Sequence, residues 1–459
     1  MTNAAIFILI IILALAGFTV ARERAIRSAT AAGRALHSLP RHYGYLTATA
    51  GFLPGLMVLV AWLLFGEGVI EKLVIQSLNA ATRGELAETR DLLINRLQVA
   101  VRYGEKLESD PVILNAAERY RALYTQGIWG TFLLAVGSGI AGTLLTLRRI
   151  NPDFRARNRF ESVLMWVLIL SSGIAILTTV GIVASLLYES VRFFQDVPIH
   201  DFLFGLKWSP QTALRADQVG SSGAFGAVPL FAGTFLISLI AMLIAGPIGL
   251  MGAIYLTQYA SARMRNIAKP LLEILAGVPT VVYGFFAAIT VAPFFRESGD
   301  FFGLPIASES ALAAGVVMGI MIIPFVSSLS DDALTAVPRP LRDGSYALGA
   351  TKSETIIKVL LPAALPGIVG AFLLAISRAV GETMIVVMAA GMRPNLTANP
   401  FEAVTTVTVQ IVALLTGDQE FDSAKTLSAF ALGLALFVIT LGLNMLALRI
   451  VRKHREIYE

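Results

Sequence analysis

The 459-residue chain contains no cysteine and only four histidines. The first absence excludes disulfides, thiolate chemistry and cysteine metal sites. His37, His42, His200 and His454 are scattered with no pairing at metal-ligand spacing, so no metal centre is expected. Charge is scarce too, with 15% of residues charged against 56% hydrophobic. Such a balance excludes an ordinary soluble domain. Nothing alternates in the manner of a membrane barrel either.

What the chain has in quantity is long apolar runs. Nine of them reach the length that crosses a bilayer, about 20 residues. They run approximately over 4–21, 45–65, 128–147, 163–188, 228–255, 270–295, 312–329, 361–388 and 430–450. The expected class is an all-α polytopic membrane protein. Arginines cluster in three stretches: Arg22 to Arg41, Arg148 to Arg159 and Arg449 to Arg455. All three fall on one side if the spans alternate. The positive-inside rule makes that side cytoplasmic, with the N-terminus outside and the C-terminus inside. The net charge of +5 is therefore a topological signal, not a nucleic-acid one. The first span has no basic residue before its apolar stretch, which predicts an uncleaved span and not a signal peptide.

Asn151-Pro152, inside the basic linker, divides the chain. Residues 1–150 carry three spans and an outside segment, 66–126. Leu86, Leu93, Leu97 and Val101 give that segment a helical apolar period. It reads as solvated helical decoration, or as a docking or sensing surface. Residues 151–459 carry six spans. The outside loop between their first two contains Gly220-Ser221-Ser222-Gly223 and Gly226, which predict tight turns.

Charge inside the apolar run 361–388 is the most telling feature. Arg378 and Glu382 stand four residues apart in Ser377-Arg378-Ala379-Val380-Gly381-Glu382-Thr383-Met384. An arginine at mid-bilayer costs roughly 2.5–3.5 kcal/mol on insertion scales, so it faces a protein interior or an aqueous path. The spacing predicts one helix face and an ion pair, either on an anion path or as a plain intrahelical bridge. Glu273 follows Lys269 by four residues, as an interfacial bridge or as a group on the path. Tyr283 brings a hydroxyl into an apolar span, lining the path or packed in the core. Pro279 and Pro324 predict kinks. Thr405, Thr406 and Thr408 would face an outside partner or a gate.

The inside loop 330–362 has a spacing of its own. Asp343-Gly344-Ser345-Tyr346-Ala347-Leu348-Gly349 is followed, nine residues on, by Val359-Leu360-Leu361-Pro362. A short helix, a glycine break, a second helix and a proline at the membrane face predict an elbow that fits a groove on another protein. Gly344 and Gly349 also have the two-glycine spacing of a phosphate-binding loop. Ala350-Thr351 follows where Lys-Ser/Thr is required, so this chain should not hydrolyse ATP.

That spacing resembles the Glu-Ala-Ala-x3-Gly-x9-Ile-x-Leu-Pro signature of ABC-importer permeases. Asp343, Gly344 and Ser345 stand at the Glu-Ala-Ala positions, Gly349 at the Gly, and Val359 to Pro362 close it. Within that superfamily, residues 163–450 resemble the PstC-type phosphate permeases. The carriers are Arg378 to Met384, Leu275-Ala276-Gly277-Val278-Pro279-Thr280-Val281-Val282-Tyr283-Gly284, and Met321-Ile322-Ile323-Pro324. Sulfate and molybdate permeases share an Arg-x-x-Gly-Glu core but continue with an aromatic residue, whereas Thr383-Met384 follows here.

The resemblance implies a six-helix type I permease core in the bacterial cytoplasmic membrane. It implies a second permease subunit (PstA type), a cytoplasmic ATPase dimer (PstB type) that binds the ATP, and an extracytoplasmic phosphate-binding protein (PstS type). Arg378, Glu382, Thr383, Glu273 and Tyr283 would lie on the substrate path. Asp343, Gly344, Ser345, Gly349, Leu361 and Pro362 would engage the ATPase. The first 150 residues lie outside the familiar pattern. A permease for another oxyanion, a secondary anion carrier and a membrane sensor are the competing expectations.

Overall fold

A computed structural model describes residues 2–77, 111–210, 223–416 and 423–454. Helices dominate. Among the described residues, eight are long and apolar enough to cross a membrane, and a bent pair brings the number to nine if it counts as one span. The periodic part of segment 66–126 (Leu86 to Val101) and the turn Gly220–Ser222 lie outside the described residues. By its internal packing the chain forms two compact units, Met1–Leu177 and Thr178–Glu459.

The first unit contains α1 (Asn3–Ala32), α2 (Pro40–Ser77), α3 (Pro111–Arg148) and the start of α4 (Ala156–Asp196). Small residues draw its helices together, as they do where lipid offers no hydrophobic gain from association. A Cβ on Gly142 would come within 2.0 Å of the Ala50 carbonyl oxygen, and one on Gly139 within 2.8 Å of the Gly51 oxygen. α1 is capped by Thr2, whose hydroxyl accepts from the Ala5 N–H, and ends at Gly33 in the left-handed region.

The second unit continues from α4 through the short α5 (Ile199–Phe204) and a two-stranded antiparallel ribbon, β1 (Trp208–Ser209) with β2 (Ala224–Phe225). Next comes α6 (Val228–Ile254), extended by a π turn at Tyr255–Tyr259. α7 (Ala262–Ala276) and α8 (Thr280–Phe286) follow, and a second π turn leads into α9 (Ala292–Phe302). α10 (Ala311–Thr335) is the most enclosed span, with 61% of its apolar window buried.

Glycines again set the closest contacts. A Cβ on Gly249 of α6 would lie 2.8 Å from Val326, and one on Gly315 of α10 would lie 2.7 Å from Ile240. The core around them includes Ile237, Ala241, Met318, Ile322, Ile385 and Val386.

Two expected spans come out differently. The segment expected to cross at 270–295 is broken at Gly277-Val278-Pro279, and α7 meets the helix from Thr280 at 86°. Proline before Thr280 cannot donate to the preceding turn, so the backbone ladder stops there. The run 361–388 is also not one helix. α13 (Leu361–Val380) stops short, and Gly381, Glu382 and Thr383 separate it from α14 (Met384–Ala389).

Between α10 and α13 lie α11 (Arg339–Ala347), α12 (Lys352–Thr355) and a third π turn at Ile356–Leu360. α13 spans Leu361–Val380. After α14, α15 (Val407–Leu415) and α16 (Ala424–His454) complete the unit.

Candidate transport path and coupling elbow

Arg378 and Glu382 are not an ion pair. The helix carrying Arg378 stops two residues later, so the i,i+4 geometry does not exist. Glu382 is buried, and its Oε1 accepts from the Met384 N–H at 3.1 Å and the Ile385 N–H at 3.4 Å. The carboxylate thus satisfies the otherwise unpaired amides at the start of α14, where negative charge is favoured. Thr408 Oγ1 donates to the Glu382 carbonyl at 2.8 Å and holds the same turn from α15. Thr383 is half-buried at the cap position of α14, and its carbonyl accepts from Val387.

Arg378 has a different neighbour. Its Cζ lies 5.6 Å from the ring centroid of Phe325 on α10, within cation–π range. Among the described residues no carboxylate lies within ion-pair distance of it. Its side chain is exposed in this chain.

Phe325 also walls a chamber of about 220 Å³ between α7 and α10, lined further by Arg265, Lys269, Glu273, Ser328 and Asp331. Glu273 therefore reaches the chamber, but Lys269 does not bridge to it as expected. Lys269 Nζ instead meets Asp331 at 2.9 Å. Tyr283 is absent from the lining. It is buried, and its hydroxyl donates to the Leu275 carbonyl at 2.9 Å, tying α8 to the last turn of α7 across the break. Its place is in the bend, not on the chamber wall.

Sequence reading missed Asp331. The carboxylate is 4% exposed and accepts from Thr257, from Arg265 and from Lys269. One signal was available: Arg265 and Lys269 fall on one face of α7 by spacing. Their partner is more than sixty residues away, and no local pattern names it.

The outside threonines are internal. Thr406 caps α15 and bonds Thr408 at 3.0 Å. Gln410 donates to the Met392 carbonyl and to Thr405, and its Oε1 accepts from Trp208 Nε1 at 3.1 Å. This buried chain joins the β1–β2 ribbon to the Glu382 turn.

The inside loop folds as an elbow. α11 carries Asp343, Gly344 and Ser345, and Gly349 adopts φ +85° to turn the chain. Only a residue without Cβ takes that conformation cheaply. Thr351 and Glu354 form a capping box at α12. Ser345 and Thr355 share a hydrogen bond of 2.9 Å across the two helices. Leu361 and Pro362 open α13. Tyr346 and Leu348 are exposed, Leu348 to 91%. Beside Leu348 lies a concavity of about 610 Å³, lined in part by Leu341, Gly344, Gly349 and Val359.

A polytopic helical unit with a charged chamber and an elbow between two of its spans has the form of a membrane permease subunit. Residues 245–456 match the family model described as "Binding-protein-dependent transport system inner membrane component". Residues 7–178 match one described as "Phosphate ATP-binding cassette transporter", so the first 150 residues are not outside known families. The probable ABC transporter permease protein YqgH of Bacillus subtilis is 35% identical over 56% of this chain and 79% of its own length. The phosphate transport system permease protein PstC of Mesorhizobium japonicum is 31% identical over 67% of this chain and 92% of its own. PstC 1 of Mycobacterium tuberculosis is 32% identical over 55% and 81%. The chain belongs to the PstC family of ABC-importer permeases.

Proposed function

We propose that this permease carries inorganic phosphate inward across the cytoplasmic membrane, driven by ATP hydrolysis on a separate subunit. The observation that carries this reading is Arg378: a guanidinium at the end of an apolar helix, resting on Phe325, with no carboxylate partner among the described residues. Such a cation has free donors for an oxyanion, and charge-assisted hydrogen bonds offset the anion's lost hydration. The names of the relatives support phosphate as the anion. Glu382 acts differently from a counter-ion. By capping α14 it fixes the turn after Arg378, and Thr383 is held in that turn.

The energetics require a drive. Each negative charge entering a cell works against about 2.3 kcal/mol per 100 mV, before any concentration gradient. The missing P-loop lysine at Ala350 supports an ATPase of the PstB type as the partner that binds ATP. The knob at Leu348 and the hollow beside it are the surface offered to it. A PstA-type second permease would complete the path, and a PstS-type binding protein would deliver the anion from outside. The arginine clusters support an orientation with the N-terminus outside and the C-terminus cytoplasmic. No cofactor is needed in this chain.

Uptake of radiolabelled phosphate into vesicles holding the reconstituted transporter tests the reading. Unlabelled phosphate should compete, and sulfate or molybdate should not. Stronger competition by either would reassign the substrate.

A further inference from the structure

Asp331 lies near the C-terminal end of α10, and one carboxylate there joins three stretches of chain. Thr257, in the π turn after α6, donates to Oδ1 at 2.7 Å. Arg265 Nη2 reaches both oxygens at 3.1 Å, and Lys269 Nζ reaches Oδ2 at 2.9 Å. Lys269 lies 3.7 Å from Asp332 as well. π turns insert a residue into a helix and recur at functional sites.

The cluster is not an anion trap. Arg265 and Lys269 are matched by Asp331 and Asp332, and Glu273 adds a further carboxylate to the chamber wall. A balanced set of this kind holds helices together. Its placement says which ones. Downstream, α10 ends at Thr335, and Ala336, Val337 and Pro338 lead directly into the elbow helix α11. Sideways, the clamp grips α7, one wall of the chamber. α7 is then tied to α8 across the 86° break by the Tyr283 hydroxyl.

We infer that Asp331 transmits movement of the cytoplasmic elbow to the chamber wall, so that α7 and α10 move as one body when the elbow is displaced. It is a positioning residue for transport and does not touch the anion. This inference rests on the ATPase-docking role proposed for the elbow. When a partner pulls α11, α10 follows through a three-residue link. Without the Asp331 clamp, α7 would stay behind as α10 moved, and the chamber between them would be distorted instead of being carried with the elbow.

The test uses the complete reconstituted transporter. Asp331→Asn keeps the side chain's shape and leaves Arg265 and Lys269 able to hydrate, since each side chain is already about one-third exposed. The variant should assemble with the ATPase and hydrolyse ATP near the native rate, while phosphate moved per ATP falls severalfold. A purely structural role would lower yield and hydrolysis together. The cysteine-free chain also accepts two spin labels, at the exposed Arg263 on α7 and the exposed Thr335 on α10. Their separation should stay single and unchanged with and without ATP in the native protein, and should broaden in Asp331→Asn.

Native transport per ATP in the variant, or the same sharp separation in both proteins, would overturn the inference. If Asp331→Asn does not fold, Lys269→Gln leaves Asp331 bonded to Arg265 and Thr257 and should shift both readouts the same way; native values there overturn it equally. Failure of the unaltered chain to bind an ATPase or take up phosphate would instead count against the proposed function.

Discussion

Replacing Glu382 separates two physical roles that sequence spacing alone confuses. If the carboxylate caps α14, its loss exposes two buried amides, those of Met384 and Ile385. Substituting a capping side chain by alanine costs about 0.5–2 kcal/mol. Removing negative charge from a helix start costs about 0.3–1 kcal/mol more. Glu382→Ala should therefore destabilise by about 1–3 kcal/mol. Glu382→Gln keeps a carbonyl oxygen that can accept the same two bonds and should lose only the charge contribution, under about 1 kcal/mol.

An Arg378–Glu382 ion pair gives a different pattern. Both substitutions would then strand the guanidinium, and Arg378→Gln would relieve the damage. A double-mutant cycle on the purified permease, read by denaturant or detergent unfolding, measures this. The geometry predicts a coupling between positions 378 and 382 within the roughly 0.3–0.5 kcal/mol of independent sites. A coupling above about 1 kcal/mol would refute the capping assignment.

Other perturbations follow from single contacts. Gly349→Val forces a β-branched residue to φ +85°, which costs about 1–2 kcal/mol and should misplace α12 relative to α11; ATPase copurification should fall while membrane insertion stays normal. Gly344→Ala is the control, because nothing lies within 4 Å of its Cβ position. In the first unit, Gly142→Leu drives a side chain into the Ala50 carbonyl and should cost more than the 1–3 kcal/mol of ordinary overpacking. Limited proteolysis should then cut the first unit faster, whereas Gly137→Ala, facing open space, should leave it intact.

The helical class, most of the span positions and the backbone of the elbow were legible because each has a local signature. Apolar runs mark spans, and the Asp343–Pro362 frame places a short helix, a left-handed glycine and a capped second helix in order. What sequence reading misplaced depended on where helices stop. Counting four residues from Arg378 to Glu382 assumes a continuous helix, yet the chain leaves helical geometry after Val380, and the Glu382 side chain then claims the next amides. The same assumption made one span of 270–295, where Gly277-Val278-Pro279 bends the chain. Lys269 had an acid four residues on but took Asp331, because that carboxylate is buried and could not go unpaired. Thr405, Thr406 and Thr408 read as facing an outside partner or a gate for a related reason: their hydroxyls are spent on Gln410, on one another and on the Glu382 backbone, which only the tertiary fold brings near.

The most direct measurement is ATP-dependent phosphate uptake by the reconstituted transporter carrying Arg378→Gln. Uptake should be abolished while the complex still assembles with its ATPase, since Arg378 makes no ion pair among the described residues that the fold would lose. Uptake at the native rate by that variant would contradict a path in which this guanidinium receives the anion.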